Sequence, residues 1–550
     1  MLSVSFTSIV LCYSNLSLIL MIENLFVKSN ITFTRLFSTK SILLLTIVAV
    51  TVIKLSLGGS GFLALQDERR YEKSAKAIQC LSHADTKGFL FEIFSTKGRP
   101  GETILKIIPN VIQIFTAKIF TLNLYETENS YPLFIFNFLI YCLILILHFK
   151  CSTILLKNTD LALLSVLMYS CLTNSYLYIR HAVPYDSSLL ILYFSFYRAL
   201  VYQQRKNSST FQYFKLGAVT TFGYLVYPGF FPLVFLTGLI VLLYNPNEEV
   251  LYKRFKNLCS LIIGGASLIV FFELLSNFGG KSFLSTSREL SSTINQGSFE
   301  ETLSFIIKYL FEVEQINGIL VLSGLLVFYI FLFKRMKSIF TEPTLLTLSI
   351  LTLVYTLYGC AGVCFHKVVY YGRLMHQYYP FICIALLVPL ANTTISFQKR
   401  TFLYLGIAGV FVFSFCFNFQ QYRQYCFPRD IGWKYINIHG RTFLNSICEY
   451  KGGESQIPSG TERAKKPKYV DKRTASFLFY NIINGCYHDR FDSVKKNDIS
   501  YVVKYGTLLE KHSAFYCFKA YQYEGYNVAE RKTIDSLGIN IKVYGLNFHY

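Results

Sequence analysis

The sequence predicts an all-α polytopic membrane protein. We expect a helix bundle of about eleven spans, with twelve or thirteen left open, and a small α/β domain outside the membrane at the C-terminus. Hydrophobic residues make up 53% of the 550 residues and charged residues 15%, whereas soluble globular chains average about 25% charged residues. The mean hydropathy is +0.39. Apolar runs near the length of a membrane-spanning helix recur along the chain.

The formal net charge is +21, from 53 Lys and Arg residues against 32 Asp and Glu residues. On a soluble protein this excess would suggest a nucleic-acid partner. In this chain the basic residues lie mainly between the apolar runs, so they indicate membrane topology, and we expect no nucleic acid. The 51 Phe and 41 Tyr residues against 13 Pro exclude a disordered or collagen-like chain.

Eleven apolar runs approach the roughly 17–25 residues that one span requires. They are residues 41–57, 133–149, 161–178, 187–202, 211–227, 229–244, 258–278, 316–333, 344–365, 378–390 and 401–419. The division at Pro228-Gly229 is the weakest, but 34 residues would exceed a single span, and Pro-Gly favours a turn.

The distribution of Lys and Arg supports this division, because short cytoplasmic loops are enriched in basic residues. With the first span starting inside, the outer turns carry Arg180, Lys367 and Arg373. The inner flanks carry Lys28, Arg35, Lys40, Lys150, Lys157, Arg198, Arg205, Lys206, Lys253, Arg254, Lys256, Lys334, Arg335, Lys337, Lys399 and Arg400. A single span over 211–244 would invert every later loop and remove the bias.

These spans divide the chain into three parts. Residues 1–40 are an N-terminal segment of uncertain status, since Met1–Ile22 could be a further span, an uncleaved anchor or an upstream start-codon artefact. Residues 41–419 form the membrane domain, with an outer first loop over 58–132, and residues 420–550 form the extracytoplasmic domain. Four cysteines in the last part leave the disulfide pairing open. The cysteines show no metal-ligand spacing, so no cofactor is assigned, although a divalent metal is left open.

Two adjacent carboxylates, Asp67 and Glu68, follow the first span directly. One interpretation is structural: Asp67 caps the next helix and Glu68 favours its first turn. The other is chemical, because an outer-facing carboxylate at the mouth of a bundle can act as a general base. The two interpretations are compatible.

Gln66-Asp67-Glu68-Arg69-Arg70-Tyr71 resembles the outer first loop of membrane glycosyltransferases of the GT-C type. The resemblance is in particular to the lipid A aminoarabinose transferase and protein O-mannosyltransferase (glycosyltransferase 39-like) group. Weaker matches follow in the same order, at Gly98-Arg99-Pro100-Gly101, residues 174–186, residues 223–229 and residues 371–380. The first of these has one proline where the family has two.

The resemblance implies inverting transfer of a sugar from a polyprenyl-phosphate donor to a glycan, lipid or protein acceptor on the outer face of the cell membrane. A sugar hydroxyl is a weak acid, so a carboxylate must take its proton. The leaving lipid phosphate needs a cation. We expect Asp67 and Glu68 to be catalytic. The expected substrate-binding residues are Arg373, Lys367, Arg180 and Tyr71. Glu102 and Asp186 are reserve carboxylates, and His181, His366 and His376 are interpreted as interfacial packing.

Three other functions are weighed against this one. A lipid or polysaccharide flippase would place ionisable residues at mid-membrane, where the sequence offers Glu273, with Lys54 near a helix end. A surface-glycan polymerase or ligase would share the donor but lack the Asp-Glu loop. A degenerate relative would keep the fold without activity.

Overall fold

The computed structural model describes residues 38–58, 70–95, 99–120, 131–205, 208–296, 307, 310–340, 342–365, 372–393 and 396–426. These residues are helical with connecting turns, and no strand occurs among them. The prediction of a helical membrane protein is confirmed. The predicted N-terminal segment lies almost wholly outside the described residues, as does the predicted C-terminal domain beyond Cys426.

In chain order, the α-helices of the described residues are α1 Thr39–Ile53, α2 Tyr71–Ser82, α3 Thr86–Phe94, α4 Pro100–Ile119, α5 Tyr131–Leu156, α6 Thr159–Cys171, α7 Tyr185–Gln204, α8 Thr210–Val226, α9 Phe231–Leu243, α10 Leu251–Phe278, α11 Phe283–Gln296, α12 Gln315–Lys334, α13 Pro343–Phe365, α14 Gly372–Met375, α15 Tyr379–Ala391 and α16 Phe397–Cys426. Short 3₁₀ turns extend α1 over Lys54–Leu57 and open α9 over Pro228–Phe230.

Within the described residues, six helical stretches are long and apolar enough to cross a membrane. They are Thr39–Leu57, Tyr131–Leu156, Leu251–Phe278, Gln315–Lys334, Pro343–Ala361 and Gln398–Gln420. Each overlaps one of the eleven predicted runs. Three more runs overlap the shorter apolar helices Thr159–Cys171, Pro228–Leu243 and Tyr379–Ala391. The remaining two runs correspond to α7 and α8, so the structure supports the positions of the apolar segments and leaves the number of spans open.

The chain reverses direction at Pro228, where the sequence predicts a turn. Helix α8 ends at Val226, because Tyr227 has an extended backbone and proline follows it. Near the start of α7, Ser188 Oγ donates to the carbonyl of Gly223. At the end of α7, Gln203 Nε2 donates to the carbonyl of Val241. Since Gly223 and Val241 lie near the ends of α8 and α9, these two helices run in opposite directions along α7.

At one end of the bundle lie helix ends that are next to the basic residues predicted for the inner flanks. The Lys40 amine lies 3.9 Å from the Asp160 carboxylate, and the hydroxyl of Thr39 donates to that of Thr401 over 3.3 Å. Thr344 Oγ1 donates to the carbonyl of Leu155. These contacts bring together the starts of α1, α6, α13 and α16 with the end of α5. We call this the basic end, and the opposite end of the bundle the polar end.

Helices α8 and α10 pack closely through glycines. A Cβ atom added to Gly217 would lie 1.8 Å from the Leu261 carbonyl oxygen, and one added to Gly264 would lie 1.9 Å from the Phe214 carbonyl oxygen. Small residues allow this approach of two backbones, which is a common way of joining helices in membranes. Helix α4 packs against α8, one member of this pair.

We expect Gly264→Ala to destabilise the protein by about 1–3 kcal/mol, because the new methyl group would force the two backbones apart. The matched control is Gly406→Ala in α16, where an added Cβ meets nothing within 4 Å. Thermal unfolding of the purified variants in detergent should show a lower midpoint for Gly264→Ala and an unchanged or slightly raised midpoint for the control. Equal midpoints would contradict the close packing.

Candidate functional site

The polar end is organised around residues 172–184, which connect α6 to α7. Apart from a 3₁₀ turn over Thr173–Ser175, this stretch is not regularly helical, yet every residue in it is buried. We call it the buried segment. Connections usually run over the surface because a buried backbone must find hydrogen-bond partners inside the protein. The partners of the buried segment therefore identify the residues around which the site is built.

Two polar side chains from neighbouring helical elements satisfy its backbone. The Glu314 carboxylate accepts the N–H groups of Thr173 and Asn174, over 2.8 and 3.0 Å. From α5, Asn137 Nδ2 donates to the carbonyls of Ile179 and His181, over 3.1 and 2.8 Å. Gln315, which follows Glu314, has a φ angle of 51°. This backbone conformation is strained for a residue other than glycine. The turn before α12 is thus shaped to present this carboxylate.

Two buried lysines provide further contacts. Lys106 of α4 donates to the carbonyl of Ala182. Lys54 donates to the carbonyl of Ser170 at the end of α6 and to the Tyr141 hydroxyl, and its amine lies 5.1 Å from the centre of the Tyr176 ring. A cation at a helix C-terminus satisfies a carbonyl and complements the helix dipole. Lys54 therefore has a structural contact at the place where α6 gives way to the buried segment.

Asp186, His376 and Asn174 form a buried hydrogen-bonded chain. His376 Nε2 lies 2.7 Å from Asp186 Oδ1, and His376 Nδ1 lies 2.6 Å from Asn174 Oδ1. The Asp186 carboxylate can accept a hydrogen bond from a ring N–H group of His376, and the other ring nitrogen is paired with the Asn174 side chain. The ring is enclosed by Tyr178 and Phe230. His376, interpreted from the sequence as interfacial packing, instead joins the start of α7 to the buried segment.

A second charged cluster lies at the start of α4. Lys106 Nζ is 2.5 Å from Glu102 Oε1, and Arg99 Nη1 is 3.9 Å from Glu102 Oε2. The Arg99 guanidinium carbon lies 4.9 Å from the centre of the Tyr227 ring. Arg99 Nε and Nη1 are buried without a hydrogen-bond partner in the described part of the chain. Because buried donors are normally paired, these two N–H groups are suited to an anionic ligand.

The predicted site residues divide into two groups. Asp67, Glu68, Lys367 and His366 lie outside the described residues. Arg373 lies on α14, three positions before His376, but its side chain is also outside the described part of the structure.

The remaining predicted residues lie at or near the polar end. Arg180 and His181 belong to the buried segment, Asp186 bonds to His376, and Glu102 bonds to Lys106. Tyr71 is the first residue of α2, and its hydroxyl donates to Gln113 Oε1 of α4 over 2.7 Å.

The structure describes the helix that follows Asp67 from Arg70 onward. Arg70 occupies the N-cap position of α2 and makes no capping hydrogen bond through its side chain. Asp67 itself lies outside the described residues, so both interpretations of its carboxylate, helix cap and general base, stay predictions.

Sequence reasoning did not identify Asn137, Lys106, Glu314 or Asn174 as residues of this site. For Asn137 and Glu314 a signal was available, because each is a polar residue within or beside an otherwise apolar helix, where polar groups need partners. Among the described residues, no three His, Cys, Asp or Glu side chains gather as metal ligands would.

Burial raises the pKa of the Glu314 carboxyl from 4.5 to about 7, although the N–H groups of Asn174 and Thr173 act in the opposite direction. The folded protein therefore keeps a proton that the unfolded chain releases above pH 4.5. Stability is expected to fall as the pH rises from about 4.5 to 7, by about 3 kcal/mol in total, and to level off above that range.

Glu314→Gln removes this titration and should flatten the dependence on pH between 5 and 7. The measurement is the unfolding midpoint in detergent as a function of pH, with the half-exposed Glu342→Gln as the matched control. The comparison is the difference between each variant and the unaltered protein at each pH. A slope in Glu314→Gln equal to that of the control would disprove the assignment.

Comparison with known proteins adds no relative to this picture. No protein-family model matches the chain, no curated protein matches it, and no solved structure matches it.

Proposed function

We propose that this protein is an integral-membrane glycosyltransferase that transfers a sugar, with inversion, from a polyprenyl-phosphate donor to an acceptor on the outer side of the membrane. The observation that carries the proposal is the Arg99 guanidinium, which packs against Tyr227 and has two buried nitrogen atoms, Nε and Nη1, without a hydrogen-bond partner among the described residues. Its charge is shared with Glu102, whose Oε2 lies 3.9 Å from Nη1. Such a group suits the phosphate of a lipid-linked donor.

Chemistry at the donor requires a cation of this kind. As the bond between the sugar and the phosphate breaks, negative charge grows on the lipid phosphate, and a pre-positioned donor stabilises that charge. A guanidinium presents several N–H donors in one plane to phosphate oxygens, whereas an ammonium offers a point charge. Arg99 therefore joins Arg373, Lys367 and Arg180 as a candidate for phosphate binding, and its side chain is described in the structure.

The acceptor needs a base, and Asp67 is the proposed one, with Glu68 assisting. Helix α2, which follows these residues, is bound to α4 by Tyr71, by Asn110 Nδ2 donating to the Tyr71 carbonyl over 3.1 Å, and by Ser74 Oγ donating to the Thr103 carbonyl over 2.9 Å. Four residues span at most about 14 Å, so Asp67 lies within that distance of an anchored residue. The helix that holds this anchor also carries Arg99 close to its start.

The proposed topology puts the basic end in the cytoplasm and the polar end outside. It is supported by the Lys and Arg residues at the predicted inner flanks, of which Lys40 lies at the basic end. The same topology puts residues 420–550 outside the cytoplasm and the acceptor, whether glycan, lipid or protein, on the outer side.

A flippase is less well supported, because its ionisable residues would line a central path. The Glu273 carboxylate accepts from Asn277 Nδ2 and from the N–H of Leu284, over 3.0 and 2.9 Å. It thereby joins α10 to the start of α11. Lys54 is similarly committed to a helix end. Both charges that suggested transport therefore have structural contacts.

The experiment is deletion of the gene in the source cell, followed by mass spectrometry of envelope glycans, lipids and glycoproteins. Loss of one sugar identifies donor and acceptor together, and the unaltered gene should restore it. Asp67→Asn keeps the size of the side chain but removes the proton acceptor, so transfer by the purified protein should fall by about 10²–10⁴. Transfer near the unaltered level would remove Asp67 from the mechanism.

Arg99→Lys should impair the use of limiting donor while leaving the protein folded, since the charge remains and the planar set of N–H donors is lost. Arg99→Gln should impair it more. Arg288→Lys, at an exposed position of α11, is the matched control and should transfer normally. If both Arg99 variants matched the control at limiting donor, phosphate binding would have to be assigned to Arg373, Lys367 or Arg180.

A further inference from the structure

Helix α4 has its polar side turned into the protein and its apolar side turned outward. Its buried positions include the four polar residues Glu102, Lys106, Asn110 and Gln113. Its exposed large hydrophobic residues are Ile108, Val111, Ile112, Phe115 and Ile119. Spacings of three and four residues put each set on one face of the helix.

This arrangement is the reverse of a helix on the surface of a soluble protein, which buries its apolar face and exposes its polar one. The inner face is held by specific contacts, because Lys106, Asn110 and Gln113 all bond to neighbouring elements. The helix therefore cannot rotate to bury its apolar face without breaking them. A contiguous outward apolar face needs an apolar environment.

The position of α4 indicates what that environment is. Lys106 and Asn137 bond to the carbonyls of adjacent residues of the buried segment, Ala182 and His181, so they lie at the same level of the bundle. Asn137 is six residues inside α5, or about 9 Å from its start. Helix α5 is one of the helices able to cross a membrane, and α4 packs against it.

The outward surface of α5 is apolar at this level as well. Ile135 and Leu139, one on each side of Asn137 in the sequence, are exposed. A membrane that surrounds α5 at this level would therefore also meet the outward face of α4. Lys118, exposed in the last turn of α4, can reach headgroups with its amine while its stem stays among apolar groups.

We propose that the outward face of α4, formed by Ile108, Val111, Ile112, Phe115 and Ile119, contacts the acyl chains of the bilayer at the polar end. This part of the first loop is then embedded in the membrane. The lipid contact stands independently of the proposed reaction. One consequence rests on the proposed reaction. Arg99 and Glu102 lie at the start of a helix whose other side would face lipid, so a donor could reach them from within the bilayer.

The test uses the full chain with its single tryptophan, Trp433, replaced by phenylalanine. Phe115→Trp then reports on the outward face of α4, where the side chain is 64% exposed. Phe271→Trp is the matched control, because Phe271 is 53% exposed on the membrane-spanning candidate α10. Each variant is reconstituted into vesicles of phosphatidylcholine or of the same lipid brominated on its acyl chains, and its fluorescence is measured.

We expect brominated lipid to quench Phe115→Trp as strongly as it quenches Phe271→Trp, with little quenching by aqueous iodide. Iodide quenching without bromolipid quenching would show that the face meets water and would overturn the proposal. Quenching by neither would show that protein covers the face, whether another part of this chain or a second molecule, and would also overturn it. Ile112→Trp, one turn away, repeats the measurement if Phe115→Trp does not fold. Neither quenching measurement depends on sugar transfer, so failure of the proposed function would leave the expected quenching unchanged.

Discussion

A protein interior offers no water to a backbone that leaves the helical conformation, and residues 172–184 leave it while remaining fully buried. Each unpaired N–H or carbonyl in such a place costs about 1–3 kcal/mol. The protein meets this constraint with side chains from three separate elements: Glu314 before α12, Asn137 from α5 and Lys106 from α4. A fourth element is joined through the side chain of Asn174, to which His376 is hydrogen-bonded. Each of these elements is thereby fixed relative to the same short stretch of chain, and the polar end takes its shape from their meeting.

Helix α4 connects this constraint to the proposed chemistry. Lys106 bonds to the buried segment and to Glu102, and Arg99 lies beside Glu102 and Tyr227. Lys106, which bonds to the backbone of the buried segment, and Arg99, which is proposed to bind phosphate, thus belong to the same charged cluster. On this account, structural support and substrate binding are neighbouring functions of one helix, which turns its polar side to the interior and its apolar side outward.

The sequence was sufficient for features that depend on local pattern. Apolar runs locate the helices, and Pro228 ends α8 as its missing N–H and fixed φ require. The alternation of basic flanks also predicts that Lys40 and Lys399–Arg400 lie at one end, where Lys40 and Thr401 are found. Arg180, Asp186 and His376, predicted to face one side, do lie together near the buried segment.

Other features depend on contacts between distant parts of the chain. Glu314 bonds to a residue 141 positions away and His376 to one 202 positions away, distances over which periodicity carries no information. The sequence showed Arg99 as one basic residue beside a proline, and its unpaired donors became visible once Tyr227 and Glu102 were placed around it. Helix lengths also differ from the apolar runs, because α6 ends at Cys171 where the buried segment begins.

Amide hydrogen exchange of the whole reconstituted chain, followed by mass spectrometry, measures whether residues 172–184 are kept from water. If side chains from four elements hold residues 172–184 in a dry interior, peptides covering them should exchange as slowly as those from α6 and α7 on either side. Exchange over residues 172–184 should become faster in Glu314→Ala and in Asn137→Ala, while peptides at the basic end stay unchanged. Rapid exchange of residues 172–184 in the unaltered protein would contradict the account, because a backbone in contact with water would need none of these partners.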